Sequence, residues 1–194
     1  MVKLIGDKKI KIAVFISGKG SNLENLLRHS FKKKSQFKIK LIISNNPSAE
    51  GLKFAKKYKI NKKIINYNKI KESKKNILDK LNKCQIKLIC LAGYMKILSD
   101  NFIKKFNGKI INIHPSLLPK YKGLNTHQRV IENRENFSGC TVHYVNKKLD
   151  SGKIILQKKV KVLTTDTIDK LKKRILKQEH LLYPKAIKKV LTNL

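Results

Sequence analysis

Short apolar runs recur along this chain, and between them lie stretches whose apolar residues fall at helical spacing. Ile10–Ile16 is mostly apolar, β-branched and seven residues long. That is the signature of a buried strand. Similar runs stand at 39–43, 64–65, 87–92 and 109–113, the segment 140–145 alternates like a strand, and a further strand or bent hairpin lies over 154–157 and 160–162. Helical patterns fall at 23–33, 50–58, 70–81, 99–105 and 128–133, and a last helix opens near Asp166, its expected N-cap. Its apolar stripe is broken at Pro184. Strands alternating with helices predict an α/β fold, with a mostly parallel, doubly wound, Rossmann-like sheet and helices on both faces. At 194 residues one domain over 1–194 is expected.

The first strand runs into Ser17-Gly18-Lys19-Gly20-Ser21-Asn22 and then a helix. Helix N-termini attract anions through free N–H groups and the macrodipole. Glycine lets backbone approach a ligand, and Ser21 and Asn22 offer side-chain donors that could also cap the helix. Leu23 stands where a dinucleotide fingerprint needs its third glycine, and no Gly-Lys-Ser/Thr follows Gly20. After the next strand Ser44-Asn45-Asn46-Pro47 supplies no acid for an adenosine ribose. A single phosphate group is therefore expected here. A loop of this composition also makes an ordinary tight turn.

The stretch Ile110-Ile111-Asn112-Ile113-His114-Pro115-Ser116-Leu117-Leu118-Pro119 carries the strongest chemical signal. Alternation puts Asn112 and His114 on one face of a strand, and Pro115 ends its pairing. In open α/β sheets ligands bind at such carboxyl ends. Asp150, in Asp-Ser-Gly, is the candidate carboxylate partner; by charge it would raise the His114 pKa and make the ring a proton donor. Asn112 would offer an N–H to an oxyanion. The same triplet also forms turns. No G-x-S-x-G elbow occurs, so direct transfer to a bound nucleophile is expected rather than an acyl-enzyme. The loop after the fourth strand brings Tyr94, Met95, Lys96, Ile97 and Leu98, which suits a flat apolar ligand or plain core packing.

The formal charge of +34 admits two readings. Clustered cations neutralise nucleic-acid phosphates. Here, however, arginine occurs only at 28, 129, 134 and 174, and the lysines are spread along the chain beside abundant Asn and Ile. That pattern fits an A/T-rich coding sequence better than a binding patch. Cys84, Cys90 and Cys140 have neither disulfide-framework nor zinc spacing. No apolar run reaches the ~18 residues of a membrane span, and Met1 to Lys9 lacks a signal peptide's apolar segment. A cytoplasmic protein is expected, monomeric or homodimeric, with no metal and no specific nucleic-acid partner.

Taken together and in this order, Ser17 to Asn22, Leu91 to Ser99, Asn112 to Tyr121, Leu149 to Gly152 and Gln178-Glu179-His180 resemble the folate-dependent formyltransferase family. Within it the likeness is to the phosphoribosylglycinamide formyltransferases, and it spans nearly the whole chain. The resemblance implies the formyltransferase fold, with a phosphate-binding half over about 10–100 and a catalytic, folate-side half over about 101–194. It implies transfer of a formyl group from the co-substrate 10-formyltetrahydrofolate to the amine of 5-phosphoribosylglycinamide. Gly20, Ser21 and Asn22 would hold the phosphate, and Glu179 would sit near the ribose or amine. Met95, Lys96, Ile97 and Leu98 would line the pterin pocket, with Asn112 beside the formyl group. Lys74 stands where the family commonly offers an arginine to folate. Asn112, His114 and Asp150 would be catalytic. Two sister activities share this core, methionyl-tRNA formyltransferase and formyltetrahydrofolate deformylase. A basic nucleic-acid-binding module with a vestigial site is the reading from another class.

Overall fold

The computed structural model describes residues 9–65 and 70–193, with side chains between 70 and 75 left undescribed. The fold divides into a unit ending at Met95 and a unit over Lys96–Asn193.

In the first unit the sheet order is β3-β2-β1-β4, with β1 at Ile10–Ile16, β2 at Phe37–Ser44, β3 at Asn61–Ile64 and β4 at Leu88–Leu91. β1 is parallel to both β2 and β4, and β2 is parallel to β3. Central parallel strands are covered on both faces, which is why β1 reads as a continuous apolar run rather than an alternating one. Ile12, Ala13, Val14, Phe15 and Ile16 are fully buried. The edge strand β3 is exposed throughout and carries Lys62 and Lys63, charges that discourage pairing with another chain. The strand expected at 64–65 thus lies earlier; Ile65 follows it and is buried.

Helix α1 runs Ser21–Ser30 and buries Leu23, Leu26 and Leu27, spaced to fall on one stripe. Its N-cap is Gly20, in the left-handed region, and no side chain caps it. The capping role expected of Ser21 or Asn22 is therefore not taken, because the helix begins one residue earlier. The pattern at 50–58 resolves into a 3₁₀ turn over Glu50–Leu52 and the short helix α2, Lys53–Lys57. Helix α3 spans Ile70–Lys83.

In the second unit the order is β5-β6-β7: Lys109–His114, Phe137–Tyr144 and Ile154–Lys161. β6 runs antiparallel to both neighbours. The segment read as a strand or bent hairpin is thus the single strand β7. Helix α4, Asp100–Lys105, is capped by Ser99, whose Oγ accepts from the Phe102 N–H at 3.3 Å. Helix α5 spans Thr126–Glu132.

Helix α6, Ile168–Leu191, continues past Pro184. A mid-helix proline costs roughly 3 kcal/mol through the lost N–H and its clash with the preceding turn. Tyr183, Ala186 and Ile187, all fully buried, anchor the turns on either side of it and outweigh that cost. Its N-cap is Thr167, whose hydroxyl accepts from the Lys170 N–H at 3.2 Å. Asp166, the expected cap, instead accepts from the Leu163 N–H at 2.9 Å and pairs with Arg174. No helix among the described residues is long and apolar enough to cross a membrane.

Candidate active site

Strand β5 delivers Asn112 and His114 to one face, and its antiparallel neighbour completes that face. In the β5–β6 register Asn112 lies opposite His143, and His114 opposite Thr141. Asn112 Nδ2 is 3.2 Å from His143 Nε2, and His143 Nδ1 donates to the Tyr144 carbonyl at 2.9 Å. Asp150 enters from the turn between β6 and β7. One carboxylate oxygen is 3.4 Å from His114 Nδ1 and the other 3.6 Å from His143 Nε2. The structure therefore brings Asn112, His114 and Asp150 into one cluster and adds His143. Alternation alone could not single out His143, because the cross-strand register is not written in either segment.

Two backbone groups of the segment between β5 and α5 fix the cluster. His114 Nε2 donates to the Tyr121 carbonyl at 2.8 Å. The Gly123 N–H donates to Asp150 Oδ2 at 2.9 Å. Both Tyr121 and Asp150 are non-glycine residues in the left-handed region, with φ of 56° and 45°. Each such residue costs on the order of 1–2 kcal/mol, and such strain concentrates at functional sites. The turn leaves no spare room: a Cβ on Gly152 would stand 1.7 Å from the Tyr144 carbonyl oxygen.

Burial is the largest influence on His114, which is 5% exposed, and it drives the ring toward the neutral form. The Tyr121 carbonyl and Asp150 oppose this, His143 and Arg129 reinforce it, and the net pKa lies below the ordinary histidine value. Asp150 does pull the His114 pKa upward, as expected, but desolvation exceeds that pull, so the expected net rise and the proton-donating ring do not result. For Asp150 burial is again the largest single influence and raises the pKa. The hydrogen bond with His143, the Gly123 N–H and the charges of both histidines outweigh it, so the carboxyl lies below its ordinary range. The resting site thus sets a proton-accepting ring, through Nδ1, against an ionised acid.

The other expected site residues stand on other elements. Gly20 (φ 75°) turns the chain into α1, and a Cβ there would come within 2.7 Å of Gly51 Cα. Two glycines facing each other keep this loop flat against its neighbour. Ser21 and Asn22 stand in the first turn of α1, and no side chain caps it. Ser17 steadies the loop: its N–H donates to the Gly93 carbonyl at 3.1 Å, its Oγ to Asn45, and it accepts from the Met95 N–H at 2.7 Å. After β4, Met95 and Ile97 are 64% and 74% exposed, while Lys96 is exposed and Leu98 half-buried. Large apolar side chains left this open suit a flat ligand better than core packing. Glu179 is buried on α6 and acts on Cys140, whose thiol burial pushes up to about 12 with Glu179 adding to the rise. The charges acting on His114 come instead from Asp150, His143 and Arg129. The side chain of Lys74 lies outside the described residues. Among those residues no group of three or more His, Cys, Asp or Glu side chains is placed to hold a metal ion.

The formyl transferase family profile matches residues 10–187. The phosphoribosylglycinamide formyltransferase of Haemophilus influenzae is 45% identical over 181 residues, covering 92% of this chain and 85% of that protein. The trifunctional purine biosynthetic protein adenosine-3 of Gallus gallus is 42% identical over 189 residues; this chain spans 19% of its length. Among solved structures, a phosphoribosylglycinamide formyltransferase from Brucella melitensis superposes with a TM-score of 0.89 at 40% identity, covering 94% of this chain and 96% of that one. One from Anaplasma phagocytophilum gives 0.87 at 42% identity, covering 93% and 86%. A shared sequence profile, identity above 40% across most of both chains and a shared fold converge on the same conclusion: this chain belongs to the formyl transferase family.

Proposed function

We propose that the protein transfers the formyl group of 10-formyltetrahydrofolate to the amine of 5-phosphoribosylglycinamide. The products are formylglycinamide ribonucleotide and tetrahydrofolate, as in purine biosynthesis. The likeness to phosphoribosylglycinamide formyltransferases over most of their length favours this acceptor over the sister activities and over a nucleic-acid-binding role.

One observation carries the mechanism. His114 Nε2 is committed to the Tyr121 carbonyl, so the facing Nδ1 is an acceptor, 3.4 Å from a second acceptor on Asp150. Two acceptors facing each other call for an N–H donor, and the substrate amine is one. His114 takes a proton from the amine as its nitrogen bonds to the formyl carbon. The charge then on the ring is met on both sides, by Asp150 and by the Tyr121 carbonyl. The Asn112 amide donates to the oxyanion forming on the formyl oxygen. His114 returns the proton to the departing folate nitrogen as its bond to the formyl carbon breaks, so no net proton is consumed.

The first turn of α1, with Gly20, Ser21 and Asn22, holds the substrate phosphate through backbone and side-chain donors. Met95, Lys96, Ile97 and Leu98 receive the pterin, Lys74 the folate's carboxylates, and Glu179 the substrate's ribose or amine. Mixing both substrates and following folate absorbance tests the reading. Turnover is expected with the ribonucleotide. Turnover with initiator tRNA alone would move the assignment to the sister enzyme.

A further inference from the structure

The segment from Tyr121 to Asn125 is conformationally costly and yet holds both halves of the proton site. Tyr121, Gly123 and Asn125 all have positive φ, at 56°, 79° and 55°. Two of the three are not glycine, so something outside the segment must hold them there. Arg129, on the last turn of α5, reaches back over the segment. Its NH1 donates to the Lys122 carbonyl at 2.8 Å and, at 3.5 Å, approaches that of Leu124. Its guanidinium lies 5.2 Å from the centre of the Tyr121 ring. The other end of Tyr121 is tied to Glu135, which accepts from its hydroxyl at 2.9 Å and from Lys120 at 2.8 Å.

We propose that Arg129 is a positioning residue: by clamping the 121–125 backbone it keeps the Tyr121 carbonyl on His114 Nε2, so that Nδ1 is the ring nitrogen turned toward Asp150. It touches neither reacting group and acts on position through the carbonyl of Tyr121 and the N–H of Gly123, besides the field its charge puts on His114. Composition sharpens the assignment. Only four of the 46 basic side chains are arginine. A lysine ammonium could meet one carbonyl but could not also lay a flat cation on the tyrosine ring. Arginine thus stands where a planar fork is required, in a chain that otherwise uses lysine.

The inference rests on the proposed role of His114, so its test reads the ring directly as well as turnover. Imidazole nitrogen chemical shifts, assigned with His114→Asn, report which ring nitrogen carries the proton. In the unsubstituted protein His114 should show an Nε2–H form. Arg129→Met keeps the aliphatic stem and should give a mixture of tautomers. It should lower kcat about 10- to 100-fold with KM for both substrates within about twofold, because a misplaced catalytic group slows the chemical step while substrate binding stays intact. Arg129→Lys should fall between. Glu135→Gln loosens the same tyrosine from its other end and should shift the same nitrogens if Arg129→Met does not fold. Unchanged His114 nitrogens in folded Arg129→Met, or in Glu135→Gln where that variant is the one read, would overturn the proposal. Shifted nitrogens with an unchanged kcat would uphold Arg129 and instead remove His114 from the chemistry.

Discussion

At the scale of single residues, the site is a proton acceptor held against an ionised acid. His114→Ala should lower kcat by about 10²- to 10⁴-fold, the range for loss of a general base. Asp150→Asn removes a charge that favours the protonated ring. The acid limb of the kcat/KM profile, set below the ordinary histidine value by burial, should therefore move to still lower pH. A limb that moves upward would contradict this. That Asn112 and His114 share a face is legible from two-residue alternation, and Asp150 as the partner from its chemistry. His143, Tyr121 and Gly123 could not, because they act through cross-strand register and backbone atoms that residue type does not encode. The sign of the His114 shift was equally hidden. It is decided by how deeply the ring is buried, which only the assembled fold determines.

At the scale of elements, β1, β2 and β4 are legible as apolar runs because buried parallel strands carry no alternation, whereas β6 is legible from its alternation. The boundaries that moved did so for local reasons. Gly20 starts α1 early because, lacking a Cβ, it takes the left-handed turn at little cost, and Thr167 displaces Asp166 as cap because the acid is engaged by Arg174. Thr167→Ala should lower stability by about 1 kcal/mol in denaturant unfolding, the usual cost of removing a cap. Gly152→Ala should do more. Its Cβ would collide with the Tyr144 carbonyl and push the turn outward, carrying Asp150 with it. A loss on the order of 2–4 kcal/mol, together with a fall in kcat, is expected. Pro184 interrupts the apolar stripe but not the helix, because packing on both sides of it, invisible in the local sequence, decides whether a helix survives a proline.

At the scale of the molecule, the charge of +34 shapes behaviour without defining the fold. Retention on DNA should be strong in dilute buffer, show no sequence preference, and fall steeply between about 50 and 200 mM salt. Retention that persists and discriminates sequences would point to a second function. Stability should also carry a histidine signature. His127 is pushed down to about 4 from 6.5, chiefly by burial, with Lys172 and His114 adding to it. Between those values the unfolded chain binds a proton that the folded one refuses, so stability should fall as pH drops from 6.5 toward 4. The loss should be on the order of 2 kcal/mol after allowing for solvent screening, and smaller in His127→Gln.

The most direct test is steady-state turnover with 10-formyltetrahydrofolate and 5-phosphoribosylglycinamide, comparing the unsubstituted protein with His114→Ala. Product is expected from the first, and from the second a kcat lower by at least about 100-fold with little change in KM. A His114→Ala protein turning over at the unsubstituted rate would contradict it.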